Sequence, residues 1–359
     1  MSRFEEVAAA IRPHDPALLE RTQTRLDRLT KPPGSLGQLE ALARQVVATT
    51  GKDRPGFAGK TVFCFAADHG VAAEGVSAYP QAVTAQMVLN FLHGGAAINV
   101  LARQTGARIV VADLGVAEVL PPHPDLVNAR IGPGTANFRH GPAMTREQAR
   151  ASVEAGIRIA AAELDRGADL LATGEMGIAN TTAASAIVAT VTGLDPLEVT
   201  GYGTGIDEDR RVRKAVVIRE ALALHHPDPR DPLAVLAAVG GFEIGALVGV
   251  MLCGAARRTP VIVDGFISGA AALIACGLAP ALREHLIAAH RSAERGHQAA
   301  LAHLSLAPLL SLGLRLGEGT GAVLAMSLVE AACRILNEMA TFESAGVSDK
   351  SAPTPTAPA

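Results

Sequence analysis

The sequence predicts an α/β protein built on a mostly parallel β-sheet with helices over both faces. Four short runs, residues 61–67, 107–113, 170–173 and 259–263, are continuously apolar rather than alternating. Strands read that way when both faces of their sheet are covered. Stretches rich in Ala and Leu, at helical length, separate them, and strands alternating with helices build parallel sheets. The composition agrees: 49% of the 359 residues are hydrophobic but only 3% aromatic, with no Trp. The core is therefore made of Ala, Leu, Val and Ile, in a chain long enough for one large domain and a smaller one.

Taken in order, the first 50 residues read as helices. Leu18, Leu19, Thr22, Leu26 and Leu29 recur at helical spacing until Lys31-Pro32-Pro33-Gly34 stops them. A second helix runs from Leu36 through Val47 and ends near Thr49-Thr50-Gly51. The apolar runs that follow end in Asp68-His69-Gly70, Leu114-Gly115-Val116, Gly174-Glu175 and Asp264-Gly265. Ligands of parallel sheets bind beyond the carboxyl ends of the strands, so these ends are where a site belongs. A last apolar helix spans 320–342, and residues 346–359 form a Pro-, Ala- and Thr-rich tail expected to be mobile.

The formal charge of −3 argues against an electrostatic binder of nucleic acid or anionic membranes. Four cysteines stand far apart without metal-ligand spacing, as buried reduced thiols do. The N-terminus lacks a signal-peptide core. The longest apolar runs, such as 244–256, fall short of the roughly 18 residues a membrane span needs. A cytoplasmic protein is expected.

Two segments concentrate the chemistry. In Leu314-Arg315-Leu316-Gly317-Glu318-Gly319-Thr320-Gly321-Ala322 a carboxylate stands between glycines at the mouth of the last helix. There the backbone can turn sharply against a ligand, and unpaired helix N–H groups favour a negative charge. Glu318 reads as a general base, and equally as an ordinary helix-start charge. Gly174-Glu175-Met176-Gly177-Ile178-Ala179-Asn180-Thr181-Thr182 repeats the arrangement after a strand. Its helix start suits a phosphate or carboxylate, unless Asn180 or Thr181 merely caps the helix.

Three further segments are less specific. Gly201-Tyr202-Gly203-Thr204-Gly205 lacks the third glycine of a dinucleotide fingerprint. Arg210, Arg211, Arg213 and Lys214 follow it, able to neutralise a phosphate or to form a solvated helix face. The segment around Asp264 lacks the second acid of a diphosphate-dependent phosphoribosyltransferase loop. Asp68-His69 reads as a base with its orienting acid or as a structural turn, and the other histidines offer no metal-ligand set.

Taken together and in order, these segments resemble one family. Lys31-Pro32-Pro33-Gly34-Ser35-Leu36-Gly37, Asp68-His69-Gly70-Val71-Ala72-Ala73-Glu74-Gly75-Val76, Gly174-Glu175-Met176-Gly177-Ile178 and Gly203-Thr204-Gly205 all recur in it. So do Val239-Gly240-Gly241-Phe242-Glu243-Ile244, His290-Arg291-Ser292-Ala293-Glu294 and the segment 314–321. The chain is similar, over residues 15–349, to the nicotinate-nucleotide:dimethylbenzimidazole phosphoribosyltransferases, which make the lower-ligand nucleotide of cobalamin.

The resemblance implies a Rossmann-like large domain, residues 51–319, and a small helical domain that joins 1–50 to 320–345. It implies a homodimer acting on two small molecules, nicotinate mononucleotide and dimethylbenzimidazole. It makes Glu318 the catalytic base and sets Glu175 near the ribose. It puts Lys214, Ser292, Gly177 and the Gly203 loop on the phosphate, and Met176, Leu316 and Gln86 around the benzimidazole. No cofactor and no metal are expected, because a single phosphate is held and no diphosphate leaves. The rivals are a nucleosidase, a non-catalytic nucleotide-binding regulator and a dinucleotide-dependent oxidoreductase. The presence of both Glu175 and Glu318 speaks against the second, and the imperfect glycine motif against the third.

Overall fold

The structure is a computed structural model and describes residues 2–348. The chain starts with α1 (Arg3–Ala10), α2 (Pro16–Asp27) and α3 (Gln38–Thr50). β1 (Lys60–Ala67), α4 (Val83–Leu92), α5 (Ala97–Thr105), β2 (Arg108–Gly115) and β3 (Leu126–Asn128) follow. Next come α6 (Arg146–Asp165), β4 (Leu170–Met176), α7 (Asn180–Thr192), α8 (Pro196–Val199) and α9 (Glu208–His225). After α10 (Pro232–Val239) and α11 (Phe242–Ala256) stand β5 (Val261–Val263), α12 (Phe266–Leu278) and β6 (Leu286–Ala288). α13 (Arg295–Leu304), α14 (Thr320–Glu338) and α15 (Phe342–Ala345) complete the order.

Two compact units emerge. One holds the residues up to Pro13 with Phe57–Ser327; the other holds His14–Gly56 with the described residues from Leu328 onward. The expected boundaries therefore move. α1 leaves the 1–50 segment for the first unit, because Phe4 and Ile11 are buried in that unit's core. The start of α14 also belongs there, since Asp264 accepts the Ala322 N–H at 2.8 Å. Of the tail expected at 346–359, only 346–348 lie within the described residues.

In the second unit Asp15 caps α2 by accepting the Ala17 N–H, and α3 ends on Gly51 in the left-handed conformation. The Lys31–Gly37 loop between them wraps one buried carboxylate. Glu40 pairs with Lys31 Nζ at 2.8 Å and accepts the Leu36 N–H at 3.0 Å.

The first unit is organised by a six-stranded sheet in the order β3-β2-β1-β4-β5-β6, and every pairing is parallel. This is the doubly wound order in which the strand sequence reverses at the centre, here between β1 and β4. β1 shows why its run is continuously apolar: Thr61 through Ala67 are all buried. β3 and β6 were not expected. At three residues each they are too short to leave a periodic signal. Helices α6 and α11 pack almost backbone to backbone. A Cβ on Gly156 would stand 1.9 Å from Ala246 O, and one on Gly249 would stand 2.1 Å from Val153 O.

Two helical stretches, Val83–Thr105 and Thr320–Glu338, do reach the length and hydropathy of a membrane span, which corrects the expected shortfall. The first is broken into α4 and α5 around Gly94 and Gly95, and the second is the core helix α14.

Candidate active site

The strand order reverses between β1 and β4, and in parallel sheets ligands bind beyond the carboxyl ends of the strands at such a switch point. β1 is followed there by Asp68 and His69. β4 brings Glu175, Met176 and Gly177, and β5 is followed by Asp264.

Glu318 does not lie in the first turn of α14. It precedes the helix, in a turn where Gly317, Glu318 and Gly319 all have positive φ, at 83°, 61° and 88°. The left-handed conformation disfavours a side-chain-bearing residue by about 1–2 kcal/mol, so its surroundings must impose it. Glycine makes the close approach possible. A Cβ on Gly174 would stand 2.5 Å from Glu318 O, and one on Gly317 would stand 2.3 Å from Glu175 Oε1. The turn therefore lies directly on β4, and the Glu318 N–H donates to Glu175 O at 3.3 Å. Asp264 anchors its far side. Besides the Ala322 N–H, its carboxylate accepts from the N–H groups of Gly319 and Gly321.

The Glu318 carboxylate is buried, 4% exposed, and Oε2 accepts the Ile98 N–H at 3.2 Å. The helix start facing it thus belongs to α5 rather than α14. Burial raises its pKa above the ordinary glutamate value, and the Ile98 N–H opposes that rise without cancelling it.

Glu175 is 6% exposed, and burial followed by the charge of Glu243 pushes it up to about 8. Asn180 Nδ2 donates to its Oε2, opposing that shift. The Asn180 side chain is therefore committed to Glu175 and neither caps α7 nor faces an anion. Asp264 is likewise pushed up to about 7, mainly by burial.

Three of the phosphate candidates, Lys214, Gly203 and Ser292, converge on a second corner, and Gly177 stands apart from them. Lys214 on α9 is fully buried and donates to Thr181 Oγ1 at 2.5 Å. Burial pushes its pKa down to about 8, and the Glu294 carboxylate works against that shift. Gly203 turns beside it with φ 51°, and a Cβ there would stand 2.9 Å from Thr181 Oγ1. Its N–H donates to Glu294 Oε1 at 2.8 Å, and its carbonyl accepts from Arg315 at 2.7 Å. The buried Ser292 joins them, its Oγ accepting the Glu294 N–H at 3.3 Å. Gly177 packs against β1, with Ala67 O only 2.4 Å from where its Cβ would be. Of the four basic residues after the glycine loop, Arg210 and Arg213 are exposed and Arg211 pairs with Glu208 at 2.6 Å. Lys214 faces the cradle.

The residues expected around an aromatic base are less closely joined. Met176 is half-buried beside Glu175, and Leu316 is 58% exposed two residues before Glu318. Gln86 is exposed on α4, which is tied to the site where Thr84 Oγ1 accepts the Ile178 N–H at 3.1 Å. Asp68 and His69 do not act as base and orienting acid. Asp68 Oδ2 accepts the Ala117 N–H at 2.8 Å, while His69 pairs with Glu243 at 2.7 Å. Sequence reasoning missed Glu243 and Glu294 as members of this neighbourhood, although both stand in segments carrying the family resemblance. Among the described residues no group of three or more His, Cys, Asp or Glu is placed to hold a metal ion.

Comparison with known proteins closes the case for the family. A phosphoribosyltransferase family profile matches residues 11–347. The nicotinate-nucleotide–dimethylbenzimidazole phosphoribosyltransferase of Roseiflexus sp. is 61% identical over 350 residues, covering 98% of this chain and 99% of that one. The protein of the same name from Desulforudis audaxviator is 57% identical over 338 residues, covering 94% and 96%. A crystal structure of the corresponding Thermus thermophilus protein superposes with a TM-score of 0.89 at 50% identity, covering 93% of this chain and 99% of that one. With its doubly wound sheet and these matches along nearly its whole length, the chain belongs to the nicotinate-nucleotide–dimethylbenzimidazole phosphoribosyltransferase family.

Proposed function

We propose that the chain transfers the phosphoribosyl group of nicotinate mononucleotide to 5,6-dimethylbenzimidazole or a closely related base. The products are nicotinate and the α-ribazole phosphate used for the nucleotide loop of cobalamin, and Glu318 is the general base. The observation that carries this reading is the buried, raised-pKa carboxylate of Glu318 set on β4 beside Glu175.

The reaction needs little else. The donor's quaternary pyridinium departs as a stable aromatic ring, so its leaving group takes no proton. The acceptor attacks C1′ through one ring nitrogen and gives up the N–H proton from the other. One carboxylate can do this acid–base work, unlike the paired acids of a glycosidase. Lys214, Ser292 and the backbone N–H groups at Gly177 and Gly203 would hold the phosphate, and Glu175 would face the ribose. Met176, Leu316 and Gln86 would border the base. Orienting donor and acceptor in this way supplies roughly 7–11 kcal/mol in well-aligned systems.

The same reading makes the enzyme a cytoplasmic homodimer, supported by its resemblance to the family. Incubation with nicotinate mononucleotide and competing bases, followed by mass identification of the products, tests the assignment. A ribotide of the added base is the expected result. Ribose phosphate released at the same rate without any base would make the protein a hydrolase instead.

A further inference from the structure

The corner around Lys214 holds one more polar side chain, Thr181. Of the three polar residues that open α7, Asn180 is turned to Glu175, and Thr182 is fully buried with its hydroxyl unpartnered. Thr181 stands between them, half-buried, and does not cap the helix. It meets Lys214, and that bond can run in one direction only. An ammonium has three donors and no acceptor, so Lys214 Nζ donates at 2.5 Å and Thr181 Oγ1 accepts. A hydroxyl that accepts this bond keeps its own proton for another partner. Thr190 and Thr192, further along α7, donate theirs to the carbonyls of Ala186 and Val188, four residues back. Among the described residues the Thr181 proton has no such acceptor.

Lys214 is itself short of partners. It is fully buried, and among the described residues Thr181 is the one hydrogen-bond acceptor it has, which leaves two donors of a buried ammonium unmatched. A charge in the interior is costly until acceptors complete it. Glu294 does not fill that place: its Oε1 is engaged with the Gly203 N–H, and its Oε2 lies against Gly201. Gly203 marks where an acceptor can enter. A Cβ there would stand 2.9 Å from Thr181 Oγ1 and 3.4 Å from Lys214 Nζ. A side chain at 203 would therefore cover both polar atoms, and glycine leaves them open together. With Nζ and Oγ1 so close, a tetrahedral anion bound to one is within hydrogen-bond reach of the other.

We propose that Thr181 is a phosphate-binding residue of the donor site. Its hydroxyl accepts from Lys214 and donates its own proton to a phosphate oxygen, so that ammonium and hydroxyl hold the same group. Hydrogen bonds to an ionised acceptor are the strong ones, which suits a hydroxyl already polarised by a neighbouring ammonium. The inference rests on the reading of Lys214 and Gly203 as the corner that takes the phosphate. It gives neighbouring residues of α7 two tasks: Asn180 holds Glu175, and Thr181 holds the donor's anionic end.

Calorimetry on the full-length protein without a base acceptor tests this, with nicotinate mononucleotide and with nicotinate riboside, the same donor lacking its phosphate. Thr181→Val keeps the shape and removes the hydroxyl. Its affinity for the mononucleotide should fall about 10- to 100-fold, as for the loss of a hydrogen bond to a charged group, while its affinity for the riboside holds. Thr181→Ser keeps the hydroxyl and should bind the mononucleotide within a few-fold of wild type. An unchanged mononucleotide affinity in Thr181→Val overturns the proposal. So does an equal loss for both ligands, or a loss in Thr181→Ser as large as in Thr181→Val. Should the Val variant not fold, Thr181→Ala carries the same expectations. Combining Thr181→Val with Lys214→Met separates the hydroxyl's own bond from its hold on the lysine. The double variant should bind the mononucleotide more weakly than Lys214→Met alone, and equal binding overturns the proposal. The reading of the corner fails separately, if the wild-type protein holds the riboside as tightly as the mononucleotide.

Discussion

At the scale of single residues the site depends on Glu318 being held where an isolated glutamate would not stay. Its backbone is left-handed, its carboxylate is buried, and the Ile98 N–H supplies one hydrogen bond. Burial outweighs that N–H, so the carboxylate is a stronger base than it would be in water, as its proposed role as proton acceptor requires. Glu318→Gln keeps the shape and the acceptor oxygen but cannot take a proton. Its kcat should fall by about 10²–10⁴-fold while dimethylbenzimidazole binding, followed by calorimetry, stays measurable. A Gln variant with full kcat would take Glu318 out of the mechanism. Glu318 and Glu175 were both legible in the sequence, because a lone carboxylate between glycines is a local pattern. The helix that stabilises Glu318 was not legible, since α5 lies 220 residues away along the chain.

At the scale of elements, the turn that carries Glu318 is a matter of backbone contact. Gly174 allows the 317–319 turn to lie on β4, and Asp264 gathers the N–H groups that follow it. Gly174→Ala puts a methyl 2.5 Å from Glu318 O, where neither backbone can yield cheaply. Denaturant unfolding should show a loss of roughly 1–3 kcal/mol, as for overpacking elsewhere. Activity should fall further than that loss explains, because Glu318 is displaced. Gly51→Ala is the control. Gly51 is also left-handed but has nothing near its Cβ position, so that variant should lose only the backbone term of about 1 kcal/mol and keep its kcat. If the two variants lose activity alike, the contact between the turn and β4 does not position Glu318.

At the scale of the whole molecule, the strand ends at the switch point carry buried acids, and this should be visible in global stability. Glu175 rises to about 8 and Asp264 to about 7 in the folded protein. A folded-state pKa above the unfolded value means that the native protein holds the proton more tightly. The stability so gained is complete below the unfolded pKa, near 4.5 for Glu175, and is lost as pH rises through about 8. The buried His297, pushed down to about 3, acts in the opposite sense until the unfolded histidine value of about 6.5 is passed. The clean window is therefore about pH 6.5–8. Unfolding free energy of the ligand-free protein should fall across it, by up to about 1.4 kcal/mol per pH unit for each acid titrating. Glu175→Gln should flatten the slope, and an equal slope in the variant would show that Glu175 is not the group titrating.

The sequence by itself determined the fold class and the strand ends at which the candidate site residues stand. Continuous apolar runs mark covered strands, and glycine next to acid marks the strand ends where ligands bind, both through nearest-neighbour patterns. Only the tertiary structure decided the partnerships. His69 with Glu243, Asp264 with the start of α14, Glu294 with Gly203 and Glu318 with α5 join residues 58 to 220 positions apart. The order of the strands in the sheet sets such pairings, and no local spacing records that order. Helix α1 likewise looks like its neighbours in sequence and joins the other unit, because Phe4 finds its apolar surface there.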